Sequence, residues 1–171
     1  MARRLAQDTG PQRRDVRNLP EGGACFTLFL PESVASQSPA QGAPEAMPHG
    51  QGQRIAVIDD EAALAQLAQE ALLSLGYEAR AFTDPVAALE AVRSAQPPFD
   101  AVITDEVMPA LTGTQLIESL RCDFPHLPVL LVSGYGGAML AARAAAAGAS
   151  SVLSKPVRRA ELAMALRTLL R

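Results

Sequence analysis

From Arg54 onward the chain alternates between two hydrophobic rhythms: short unbroken apolar runs, and longer stretches with apolar residues three or four apart. The unbroken runs read as strands buried on both faces, and the wider spacing reads as helices with one buried stripe. Ile55-Ala56-Val57-Ile58 is the first such strand; Leu64, Leu67, Ala68, Ala71, Leu72 and Leu75 follow at helical spacing, closed by Gly76. Tyr77 to Phe82 is a second strand, and Asp84-Pro85 then caps a helix carrying Val86, Leu89, Ala91 and Val92. After Pro97-Pro98, Phe99 and the run Ala101 to Ile103 form a third strand that ends in Thr104-Asp105; Met108-Pro109 and Leu111-Thr112-Gly113 force a loop before a helix with Leu116, Ile117 and Leu120. Leu127 to Val132 is the fourth strand, ending in Ser133-Gly134-Tyr135-Gly136-Gly137. An Ala-rich helix from about Ala138 to Ala147 stops at Gly148. Val152-Leu153 is a short fifth strand before Ser154-Lys155-Pro156, and a last helix bears Leu162, Leu166, Leu169 and Leu170. Five strands alternating with five helices predict an α/β fold, a doubly wound five-stranded parallel sheet joined by right-handed crossovers.

The first third of the chain has neither rhythm. Residues 1–20 set Arg3, Arg4, Arg13, Arg14 and Arg17 against Asp8 and Asp15 without periodicity, which predicts disorder. Behind Gly22-Gly23, Phe26, Leu28 and Leu30 alternate with Cys25, Thr27 and Phe29, an isolated strand signal over residues 24–30. Residues 32–53 are rich in Ser, Gln, Gly, Pro and Ala and read as a flexible linker. The organisation expected is therefore a mostly disordered segment and linker over 1–53 and one folded domain over 54–171.

Composition narrows the function classes. A chain of 171 residues, 49% hydrophobic but only 4% aromatic and without Trp, suits an Ala, Leu and Val core of helices packed on a sheet. A net charge of -3 argues against a phosphate-backbone footprint, so no direct nucleic-acid partner is expected. Cys25 and Cys122 lack metal or disulfide spacing and read as free thiols in a reducing compartment; His49 and His126 sit among prolines and glycines and read as loop residues. With no signal-peptide core and no apolar run of membrane-spanning length, a cytosolic protein is expected.

Candidate chemistry lies where the strands end. In an open parallel sheet all carboxyl ends share one edge, so Asp59, Asp60, Asp105, Ser133 and Lys155 should converge there although they are remote in sequence. Taken singly each has a plainer reading: Asp59-Asp60 as a helix cap, Asp105 as a loop cap, Ser133 as a turn residue and Lys155 as a solvated lysine. Taken together, three carboxylates at one edge need a cation among them, and hard oxygens without His or Cys select Mg²⁺ or Mn²⁺ over zinc. A divalent ion, an ammonium and a hydroxyl around a carboxylate are the parts that hold a phosphoryl group during transfer, which reads as an aspartyl-phosphate site.

In order and spacing, Asp59-Asp60, Asp105 with Met108-Pro109, Ser133-Gly134, Gly148-Ala149 and Lys155-Pro156 resemble the receiver domain of two-component response regulators over residues 54–171. The resemblance implies a flavodoxin-like fold, with Asp105 as phosphoacceptor taking a phosphoryl group from a sensor histidine kinase or histidine phosphotransfer protein. It further implies Mg²⁺ held by Asp60 and Asp105 directly, by Asp59 through water and by the backbone carbonyl of Val107, with Ser133 as hydroxyl switch and Lys155 as phosphoryl partner. It makes the chain a signalling domain rather than an enzyme, a monomer or weak dimer. Two positions depart from the family pattern. Val152 stands where an aromatic switch residue is usual, three before the lysine, and Val107 is apolar where a polar side chain orients an attacking water, which predicts slow self-dephosphorylation.

The stretch from Gly22 to Pro31 is similar to the closing glycine turn and final strand of the ATP-binding domain of sensor histidine kinases, although none of that domain's nucleotide-contacting motifs precedes it. A bare receiver, ending one helix after Lys155-Pro156 and preceded by such a strand and a linker, is similar to the tail of a hybrid sensor histidine kinase. The alternatives are a non-phosphorylated interaction module with the same fold, docking through its last two helices, and a hydrolase with an Asp nucleophile; hydrolases of the latter kind usually carry a second acid where Val107 stands.

Overall fold

The computed structural model describes residues 13–18, 22–29, 47–134 and 137–170, in two compact units divided between Glu45 and Ala46. In the first unit, β1 (Arg13–Asn18) and β2 (Ala24–Phe29) pair antiparallel across the Gly22-Gly23 turn, with Val16 opposite Phe26 and Arg17 opposite Cys25. Within residues 1–20 the described stretch Arg13–Asn18 is thus a strand and partners the strand signal that follows Gly22-Gly23; the rest of that segment lies outside the described residues. Backbone pairing with β2 makes a strand of Arg13–Asn18 without an apolar stripe, and periodicity detects only strands that bury a face. Val16 and Phe26 are exposed, so within this hairpin they bury little. The expected linker lies outside the described residues up to 46.

The second unit is the α/β domain. Its elements are β3 (Arg54–Ile58), α1 (Ala62–Ser74), β4 (Glu78–Phe82), α2 (Pro85–Ser94), β5 (Ala101–Asp105), α3 (Gly113–Asp123), β6 (Val129–Ser133), α4 (Ala138–Ala147), β7 (Ser151–Ser154) and α5 (Arg159–Leu169). The five strands are parallel in the order β4-β3-β5-β6-β7, so the chain starts near the middle of the sheet and winds outward in both directions. Every side chain of β5 and β6 is buried because the sheet is covered on both faces. On one face Ala56, Ile58, Val102, Leu131 and the α2, α3 and α4 residues Leu89, Leu116, Ile117 and Ala144 pack together; on the other, Ile55, Val57, Ile103 and Leu130 meet Leu72 of α1, Leu75 at its C-cap, and Leu162 and Leu166 of α5.

Helix ends follow the local chemistry. The Asp84 side chain accepts hydrogen bonds from the Val86 and Ala87 amides, and Thr112 with Gln115 makes a reciprocal capping box at α3. Leu67, counted in the apolar stripe of α1, is 64% exposed. Residues 47–53, read as linker, belong to this unit: the Gly50 amide donates to the Leu75 carbonyl (2.7 Å) and the Gly52 amide to that of Gly76 (2.9 Å). Such backbone docking leaves no mark in composition.

Arg121 ties two loops, α3–β6 and α4–β7, at the amino edge of the sheet. Its Nε and Nη2 donate to the Gly148 carbonyl (2.9 and 2.7 Å), and Nη1 donates to those of Phe124 (3.0 Å) and Leu127 (2.6 Å). Burial pushes the pKa of this guanidinium down. Gly148 closes α4 at φ 95°, and a Cβ there would stand 2.7 Å from Arg121 Nε. A lysine carries its donors on one nitrogen and cannot span three carbonyls, so Arg121→Lys should cost about 2 kcal/mol. Thermal denaturation checks this: a drop in midpoint of about 6 °C is expected, and an unchanged midpoint would show that water replaces the lost bonds.

Candidate functional site

The carboxyl edge gathers the residues expected there. β3 ends into Asp59-Asp60, and the adjacent β5 ends in Asp105, so the three carboxylates offer oxygens all within 4.8 Å of one another. Asp59 and Asp105 are buried and Asp60 is exposed. From the loop after β7, two strands away from β5, Lys155 reaches over the edge. Its Nζ lies 2.9 Å from Asp59 Oδ2 and 2.9 Å from Asp105 Oδ1. Burial alone would lower the pKa of Lys155, but its hydrogen bonds to Asp59 and Asp105 outweigh that and raise it above the ordinary lysine value.

The remaining lone pairs are aimed by the backbone. Asp105 Oδ2 accepts from the Val107 amide (3.2 Å), and Asp59 Oδ1 accepts from the Glu61 amide (3.0 Å). The Asp59 bond is to the amide of the N-cap residue itself, so it fixes the turn before α1 and does not cap the helix, which carries no side-chain cap. Val107 lies in the β5–α3 loop, 66% exposed, with its amide held at the Asp105 carboxylate. Ser133, buried at the end of β6, accepts the Lys155 amide on its carbonyl (2.8 Å) and lines a depression with Glu106, Val107 and Arg143. Val152 lies on β7 opposite Leu131, packed against the core. Cys25 and Cys122 are free thiols.

One residue of this edge escaped the sequence. Glu106 is only 5% exposed, and its carboxylate accepts from the Thr114 amide (3.0 Å), the Thr114 hydroxyl (2.7 and 2.8 Å) and the Arg143 guanidinium of α4. A glutamate after a strand-end aspartate carries no periodic signal, and its partners lie 8 and 37 residues away.

A parallel α/β sheet whose carboxyl edge holds three aspartates, two of them bridged by a lysine, defines a class of doubly wound domains with one acidic site at the strand ends. Residues 55–167 match the family described as the response regulator receiver domain, and the chain belongs to that family, whose members serve as phosphoacceptors in two-component signalling. Among curated proteins it is similar to the response regulator protein FleR of Pseudomonas aeruginosa, 37% identical over 103 residues, 60% of this chain and 21% of that protein. The probable transcriptional regulatory protein TcrX of Mycobacterium tuberculosis is 32% identical over 122 residues, 71% of this chain and 51% of that one. The chain spans about half or less of the length of these relatives. Among solved structures, a response regulator receiver domain protein from Clostridium thermocellum superposes with a TM-score of 0.66 at 30% identity, covering 69% of this chain and 94% of that one. Chemotaxis protein CheY4 of Vibrio cholerae does so at 0.66 and 26%, covering 70% and 99%. Among the described residues no helix is long and apolar enough to cross a membrane.

Proposed function

We propose that Asp105 is the phosphoacceptor, taking a phosphoryl group from the phosphohistidine of a sensor histidine kinase or histidine phosphotransfer protein. The observation that carries this is the Lys155 ammonium at 2.9 Å from both Asp59 and Asp105. It ties the nucleophile to one of the acids that would hold a metal. The donor set fits Mg²⁺: three carboxylates with oxygens within 4.8 Å, and neither His nor Cys among them. Asp60, Asp105 and the Val107 carbonyl would hold the ion directly and Asp59 through water; bound there, it supplies neutralisation of the phosphoryl oxygens.

The chain's own groups do the rest. An Asp105 carboxylate oxygen attacks phosphorus as the bond to the donor imidazole nitrogen breaks, and the imidazole leaves with that electron pair. Lys155, whose hydrogen bonds to Asp59 and Asp105 raise its pKa before the transfer, stands as an ammonium next to the new acyl phosphate and offsets its negative charge. Ser133, at the end of the neighbouring strand, offers its hydroxyl as the switch. Incubation with Mg²⁺ and acetyl phosphate tests the assignment: one phosphoryl group should be added, seen as a single mass increment. A chain that binds no Mg²⁺ and gains no phosphate would instead be a receiver-fold interaction module.

Val107 sets the lifetime of the product. Its exposed isopropyl group offers no hydrogen bond to a water approaching phosphorus. The phosphorylated domain should therefore persist for minutes or longer by phosphate-release assay, and a lifetime of seconds would contradict this. The expected setting is cytoplasmic, in the C-terminal part of a hybrid sensor histidine kinase or in a protein descended from one. The likeness of the stretch around β2 (Ala24–Phe29), behind Gly22-Gly23, to the closing strand of such a kinase's ATP-binding domain supports that setting.

A further inference from the structure

Glu106 stands between the two residues whose geometry matters most, the Asp105 nucleophile and the Val107 carbonyl, and every polar group it has is fixed. Its amide donates to the Val132 carbonyl of β6 (2.9 Å), and its carbonyl accepts from the Gly113 amide at the start of α3 (3.1 Å). Its carboxylate is shared between Thr114 of α3 and Arg143 of α4. A carboxylate this buried, one residue from an acidic cluster, adds negative charge where the cluster is already crowded. Such a charge is tolerated only with strong donors around it. Its donors come from two different helices, so the loop between Asp105 and Val107 is clamped from both.

We infer that Glu106 is a positioning residue: through Thr114 and Arg143 it holds the Asp105 carboxylate and the Val107 carbonyl in the arrangement that binds Mg²⁺, and so makes α4 part of the site. This rests on the phosphoacceptor reading for its purpose, though not for its first measurement. Arg143 is the exposed member, 63% accessible against 6% for the Glu106 side chain. The two ends of the clamp can therefore be altered separately.

The chemistry of the pair supplies the test. Oε1 of Glu106 faces the Arg143 guanidinium and Oε2 faces the Thr114 backbone amide, both obligate donors. In Glu106→Gln the amide nitrogen must therefore face a donor whichever way the side chain turns. Mg²⁺ affinity, followed by titration of backbone amide signals, should fall about tenfold in this variant, and labelling by acetyl phosphate should slow with it. Removing Arg143 as well relieves the conflict, because the Gln amide can then turn to the vacated side and still accept from Thr114. The double variant Glu106→Gln/Arg143→Ala should recover Mg²⁺ affinity to within about threefold of wild type. A merely structural role predicts the opposite, since the double variant has lost one more ion-pairing side chain.

Wild-type Mg²⁺ affinity in Glu106→Gln, or no recovery in the double variant, overturns the inference. Should Glu106→Gln not fold, Arg143→Ala alone decides: a threefold weakening of Mg²⁺ binding supports the clamp and an unchanged affinity overturns it. Wild-type chain that binds Mg²⁺ but takes up no phosphoryl group sinks the phosphoacceptor reading and leaves the Mg²⁺ comparison standing; wild-type chain that binds no Mg²⁺ overturns both.

Discussion

Asp105→Asn should take up no phosphoryl group from acetyl phosphate while remaining folded. The substitution keeps the shape of the side chain and removes its nucleophilic oxygen pair, so labelling falls to background rather than by a factor. Folding survives because two effects oppose each other. The amide nitrogen of Asn must face either Lys155 Nζ or the Val107 amide, both of which now donate to Asp105, and that costs local stability. Against it, deleting one of three carboxylates within 4.8 Å relieves their mutual repulsion. Intact-mass analysis after incubation with Mg²⁺ and acetyl phosphate reads the first outcome, and thermal denaturation reads the second. An Asn variant that still gains the mass increment would place the acceptor elsewhere, and the functional reading would fail with it.

Gly113→Ala should be the most damaging small substitution in the domain. A Cβ at Gly113 would lie 2.3 Å from the Asp105 carbonyl oxygen, 3.0 Å from its carbonyl carbon and 2.6 Å from Leu131 Cδ1. Two of those atoms are backbone of a central, fully buried strand and cannot yield as a side-chain tip would. The α3 terminus must retreat instead, drawing with it the Gly113 amide bonded to Glu106 and the Thr114 donors. Overpacking of this kind costs about 3 kcal/mol, a fall in thermal midpoint of about 10 °C for a domain of this size. Mg²⁺ affinity should drop as well, because the displaced loop carries the Val107 carbonyl. A midpoint within about 2 °C of wild type would show that α3 shifts freely against β5.

Asp105 and Gly113 differ in how much of their role the chain carries locally. The strand ends at Asp59 and Asp105 were legible because a buried parallel strand needs an unbroken apolar run, and its interruption by an acid is visible in one dimension. The convergence of those acids with Lys155 was legible because sheet topology brings all carboxyl ends to one edge. Gly113 looked like an ordinary loop residue, and only the approach of α3 to the Asp105 carbonyl shows why a side chain is excluded. Leu67 fitted the stripe of α1 and faces solvent, since a stripe wide enough for one helix face does not tell which of its margins the sheet reaches.

The sequence by itself determined the order of strands and helices, the edge at which chemistry is possible, and the residue types that gather there, because hydrophobic period and strand-end position are properties of the chain taken locally. The tertiary structure alone decided how those groups touch. It set the Lys155 ammonium at equal distance from Asp59 and Asp105, clamped Glu106 between α3 and α4, joined Arg121 to three carbonyls, and paired Arg13–Asn18 with Ala24–Phe29. Those contacts depend on directional bonds between segments remote in sequence or without an apolar face, and such bonds leave no periodic trace for a one-dimensional pattern to carry.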